Sequence, residues 1–153
     1  MHAYTSERGK YEESTFWNPS WVSLNGSMIS SLFDMSKWAA AVGRGTLLSP
    51  ASHQLQVGPG TAGLGPLTRD RLYGYGVLVD SHWIITNPQL VGYNGTVSYF
   101  PAKKLAVVVF TTLGRHSQQR VQYSTQALKV IARILTPKSV PKLPSRPSGK
   151  HPT

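Results

Sequence analysis

Nucleophilic chemistry at a serine needs a base within reach, and only one serine in the sequence has a lysine three residues on, Ser139 followed by Lys142. Pro141 lies between them and is incompatible with the helical turn that would bring the ammonium to the hydroxyl, so the pair reads as chance. No G-x-S-x-G elbow is present. His2, His53, His82, His116 and His151 have no i, i+4 or similar spacing, and there is no cysteine. A metal centre, a thiol nucleophile and a disulfide are therefore not expected, and no cofactor is implied. Trp17, Trp21 and Trp38 have the bulk to line a substrate cleft, although core packing is the simpler role for each.

The elements that would position any site can be read from periodicity. The first thirty residues are polar and irregular, with FWNPSW at 16 to 21 predicting a loop anchored by its tryptophans. Ser31 and Asp34 make an S-x-x-D cap ahead of Met35, Trp38, Ala39 and Val42, which predicts an amphipathic helix ending near Gly43 and Gly45. Capping is the best explanation of Ser31. Ser49-Pro50 starts a second, short helix to about Val57. Residues 58 to 71, rich in glycine and proline, predict a surface loop. From Leu72 to Asp80 the period is two, predicting one twisted strand. Trp83 to Thr86, Tyr93 to Phe100 and Leu105 to Thr112 follow as strands, the last apolar enough to be covered on both faces. Pro101 to Lys104 fits a hairpin turn. Ser117 to Leu135 closes the pattern as a helix. The fold class expected is α+β, with three or four antiparallel strands packed by helices.

Charge is divided unevenly in a 153-residue chain of net charge +10. Residues 1 to 80 hold six basic and six acidic side chains, whereas 81 to 153 hold ten basic and none acidic. Lys138, Lys142, Arg146 and Lys150 recur among prolines, so residues 136 to 153 are expected to be a disordered basic tail. No aromatic residue interleaves those charges, and nucleic acid is not expected as a partner. No apolar run is long enough to span a membrane, and the first fifteen residues lack the apolar core of a signal peptide, which leaves localisation open.

Three stretches carry a resemblance. They are NPSWVSLNGSMISSLFDMSKWAAAVGRGTLLSP (18 to 50), YGYGVLVDSHWI (73 to 84) and GYNGTVSYFPAKKLAVVVFTT (92 to 112). Together they resemble the carboxy-terminal half of the class C beta-lactamase, D-alanyl-D-alanine carboxypeptidase and esterase family, with WIITNPQLVGYNG most similar to an actinobacterial branch. The resemblance implies a partial beta-lactamase-like fold: residues 1 to 30 as an irregular lead, 31 to 135 as the matched part and 136 to 153 as the tail. It also implies acyl-serine hydrolysis of beta-lactams, D-alanyl peptides or esters in intact relatives. There a serine and lysine in S-x-x-K and a tyrosine in Y-x-N perform the proton transfers. Both motifs normally precede the matched region, and no tyrosine here is followed by x-Asn.

A third family motif, histidine or lysine, x, glycine, aligns in two ways. Placed on Gly92-Tyr93-Asn94-Gly95, it has Tyr93 for histidine; placed by strand spacing, it falls on Thr86-Asn87-Pro88. Thr86, Asn87 and Tyr93 are accordingly the substrate-binding candidates, with no catalytic residue expected. A strand end and turn is the plainer reading of Thr86 and Asn87, and cross-strand packing that of Tyr93 and Tyr99. The expected protein is a truncated or split serine hydrolase, inactive alone. It would pair with a missing amino-terminal half, or with itself, through an open edge on Leu105 to Thr112. The alternative is a non-catalytic module docking its basic half on an acidic or cell-envelope partner.

Overall fold

The computed structural model describes residues 1–26, 28–119 and 121–142. Helix α1 (Leu32–Arg44) begins where Ser31 Oγ accepts the Asp34 N–H at 3.1 Å, and it ends at Gly45. Helix α2 (Pro50–Val57) is capped in the same way, Ser49 Oγ accepting the Ser52 N–H at 3.2 Å. Helix α3 (Tyr123–Leu135) starts six residues later than periodicity suggested. The stretch before it is held instead by turns, Gly114 N–H donating to Ser117 Oγ and Val121 N–H to the Gln118 carbonyl.

The strands are β1 (Tyr4–Thr5), β2 (Glu12–Glu13), β3 (Arg71–Tyr73), β4 (Leu78–Asp80), β5 (Trp83–Thr86), β6 (Gln89–Leu90), β7 (Tyr93–Phe100) and β8 (Leu105–Thr112). β1 and β2 form a small hairpin; the other six make one antiparallel sheet in the order β3-β4-β5-β7-β8, with β6 also on β7. The class is α+β, as expected. β8 pairs with β7 along its whole length, so β5 and β6 share the opposite side of β7. The single strand expected from Leu72 to Asp80 is in fact two. The chain reverses at Gly74 to Val77, where Gly74 N–H donates to the Val77 carbonyl at 2.8 Å. Alternation with glycine is compatible with either reading, and the tight reversal is what separates them.

Side-chain alternation along β7 divides the sheet into two faces. Val97 and Tyr99 face α1, whereas Asn94, Thr96, Ser98 and Phe100 face α3. Both helices lie over β7 and β8, which explains why β8 is apolar on both sides. On the α3 face Leu78, Trp83, Ile85, Phe100, Leu128 and Ala132 form the core, and burying Ile85 and Leu128 fully contributes about 2 kcal/mol each. On the other face Gly43 sits directly on the Tyr99 ring, where any Cβ would overlap it, so α1 can approach the sheet only because residue 43 has no side chain.

Two segments depart from expectation. Residues 1 to 30 are not simply irregular: the β1-β2 hairpin docks on the sheet, and Pro19–Asn25 is a 3-10 helix. Trp21, 60% exposed, is no anchor, and the segment is held by Ser14 Oγ donating to the Val91 carbonyl and Tyr4 N–H to the Leu113 carbonyl at 2.9 Å. Gly92, at φ +90°, lets the Tyr4 backbone pass where a Cβ would collide with it.

The second departure is the tail. Residues 136 to 142 are not disordered: they cross the α3 face as a strap. Trp83 Nε1–H donates to the Ser139 carbonyl at 2.8 Å, Val140 packs on the core, and Pro141 is fully buried. The strap ends on buried Asp80, whose two carboxylate oxygens both accept the Lys142 N–H at 2.9 Å. Residues 143 to 153 of the expected tail lie outside the described residues.

Candidate functional site

Pro88 creates the opening around which the site is built. Lacking an N–H, it cannot continue the ladder between β5 and β6, and its carbonyl instead accepts the Gly95 N–H at 2.8 Å. β4 ends its pairing to β5 at Ile85, so Thr86 to Leu90 have no strand on their outer side among the described residues. Into this gap opens a cleft of about 270 Å³. Its walls are Met35 of α1, Tyr73, Gly76, Val77 and Leu78 of the β3-β4 hairpin, and Ile85 to Pro88; Val97 lines it from β7. A narrow extension of about 20 Å³ continues under α1 to Trp38 and Val42.

Thr86 and Asn87 therefore sit together at one cleft, half-buried, and neither side chain makes a hydrogen bond among the described residues. Tyr93 does not join them. It lies beyond Pro88 in a second cleft of about 270 Å³, with Val22, Leu90, Gly95 and Phe110. Pro88 lines both openings and separates them. Of the three tryptophans considered earlier, Trp38 reaches a cleft; Trp17 instead lies under the Arg8 guanidinium, 5.0 Å from the ring centroid. Tyr99 is buried, its hydroxyl accepting from Arg44 Nε at 3.1 Å, which is a packing role.

Among the described residues, the walls of both clefts contain no serine, cysteine, lysine, arginine, histidine or carboxylate. The clefts can hold a ligand and orient a carbonyl or hydroxyl; Thr86, Tyr73 and Tyr93 bring hydroxyls to their walls, but no histidine, lysine or carboxylate lies among the described wall residues to activate them. Ser139 and Lys142 lie on the opposite face, with Ser139 engaged through its carbonyl and Lys142 through its N–H. No group of three metal-ligating side chains converges among the described residues.

No sequence motif marks a largely buried polar cluster on the α3 face. Asn94 Oδ1 accepts from Thr111 Oγ1 and from the Ser124 N–H at 3.2 Å, and Thr96 Oγ1 donates to Ser124 Oγ at 3.1 Å. These bonds fix the start of α3, which has no cap of its own, against β7 and β8. Their partners are up to thirty residues apart, so no local spacing could reveal them. Nearby, burial holds the Lys129 ammonium below the ordinary lysine range, against the opposing attraction of Asp80. No helix among the described residues is long and apolar enough to cross a membrane. Comparison with protein-family models and with curated proteins finds no match to this chain.

Proposed function

We propose that this chain is the sheet-bearing part of an acyl-serine hydrolase of the beta-lactamase, D-alanyl-D-alanine carboxypeptidase and esterase kind, able to contact an acyl substrate but inactive by itself. What supports the reading is a β8 edge paired only to β7 among the described residues, together with a cleft whose described walls hold Thr86 and Asn87 and no serine. Thr86 and Asn87 orient the acyl group; Tyr93 serves the neighbouring opening. A segment supplying serine and base would complete the sheet on β8. In such a fold the nucleophile, its base and the oxyanion donors must converge within hydrogen-bond distance, so contacting groups alone give no turnover. The test is covalent labelling of the purified chain with a fluorophosphonate or a fluorescent penicillin. Every serine is expected to stay unmodified, and a labelled serine would overturn the assignment of no nucleophile to this chain.

A second reading, a non-catalytic module docking on an acidic polymer, is favoured by one feature. Residues 81 to 153 hold ten basic side chains and no acidic one, and the ion pairs found among the described residues, His2–Glu13, Arg8–Glu12 and Lys37–Asp34, all lie in the first 37 residues. A complex with polyglutamate or polyphosphate that weakens steeply with added salt would support it.

A further inference from the structure

We infer that the Thr86–Asn87 cleft takes a small, uncharged, mainly apolar ligand bearing one carbonyl or hydroxyl group, and excludes carboxylates. The inference rests on the proposed reading of this cleft as the ligand site and adds the ligand's chemistry. Met35, Val77 and Val97 supply apolar wall, while Thr86 and Asn87 place polar side chains next to each other and Tyr73 lines the β3-β4 side. A ligand placed there has its apolar part in the cleft and its carbonyl against a hydroxyl and a carboxamide, both free to donate. The volume falls just below the roughly 300–1,000 Å³ of drug-sized sites, which limits the ligand to a short acyl or alkyl group.

A carboxylate entering the same space would give up its hydration and meet no cation among the described wall residues in return. The protein's positive charge does not change this. Lys129 and Arg133 belong to α3, on the far face of the sheet, and the Lys37 ammonium lies over the Phe33 ring at 4.1 Å. At physiological ionic strength a surface charge beyond about 8 Å is largely screened.

The test titrates the whole chain, isotope-labelled, with N-methylhexanamide and separately with hexanoate at pH 7, following the amide signals of Thr86, Asn87 and Val97. The amide should bind saturably and move these signals, with hexanoate at least tenfold weaker. Thr86→Val should weaken the amide about three- to tenfold, the loss of one hydrogen bond. Met35→Lys, a good helix former at the cleft wall, should gain hexanoate binding. Hexanoate binding as tightly as the amide in the unaltered chain would overturn the exclusion of anions while leaving a ligand site. If neither compound moves the cleft signals, both the inference and the assignment of the cleft fall.

Discussion

β3 and β8 form opposite edges of the same sheet and are protected very differently. β3 has three residues, and the backbone of its last, Tyr73, is occupied by one side chain: Thr61 Oγ1 accepts the Tyr73 N–H at 2.9 Å and donates to its carbonyl. Beside it the strap from Ser139 to Lys142 ties down β4 and β5 through Asp80 and Trp83. β8 has eight residues without a charge, and its only ladder among the described residues is to β7. Proteins blunt sheet edges with short strands, loops and charges because an open edge is a template for another chain. The β3 edge carries such protection and β8 does not. On the proposed reading the difference makes β8 the edge for a partner strand, with Lys103 and Lys104 at one end and Arg115 beyond the other.

The largest effect tests what terminates β8. Gly92→Ala places a side chain at positive φ and against the Tyr4 backbone, so the β1-β2 hairpin should detach from Leu113. The expected cost is about 3 kcal/mol, a fall in Tm of roughly 6–12 °C, with faster hydrogen exchange at Tyr4. Next, Asp80→Asn removes the charge that both oxygens present to the Lys142 N–H and should cost about 2 kcal/mol. Release of the strap would be read from increased Trp83 exposure, and an unchanged fluorescence spectrum would count against a strap role.

The two edges can then be exchanged in character. Thr61→Val removes both contacts to Tyr73, should cost about 1 kcal/mol and should make β3 sticky. Phe110→Lys, at a position 40% exposed on β8, should change stability little and reduce self-association in sedimentation runs. Association that persists in Phe110→Lys but disappears on changes near β3 would reverse the comparison. The smallest effect is at α1, which covers β8. Hydrogen bonds from Ser31 and Lys37 hold the Asp34 carboxyl below the ordinary aspartate range. Its folded pKa being depressed, it contributes stability above its unfolded pKa, and that contribution is lost as pH falls through the folded value. Asp34→Asn should therefore lower stability slightly near neutrality and leave it unchanged at low pH, flattening the acid limb of the stability curve.

Much of this architecture was legible from residue types. Ser31 and Ser49-Pro50 marked both helix starts because a cap is satisfied within three residues. Trp83–Thr86, Tyr93–Phe100 and Leu105–Thr112 were recognisable because burial on a pleated sheet imposes its own pattern along the chain. The expectation of an apolar, uncharged β8 came from the same source, although its residues are half-buried and Phe110 is exposed; Thr86 and Asn87 were singled out by the family resemblance.

What those patterns could not supply were contacts between distant segments. The alternation from Leu72 to Asp80 suits one strand or a hairpin, and only the reversal at Gly74 decides between them. A basic, proline-rich segment reads as disorder because its own residues offer no regular structure, yet Pro141 is buried and Lys142 N–H bonded because Trp83 and Asp80, some sixty residues earlier, await them. Tyr93 is close to Asn87 in sequence but is turned into another opening by Pro88. Local preferences act over a few residues and set which elements form; which edge is closed, which cleft opens and where the chain's end is held depend on partners that only the folded chain brings together.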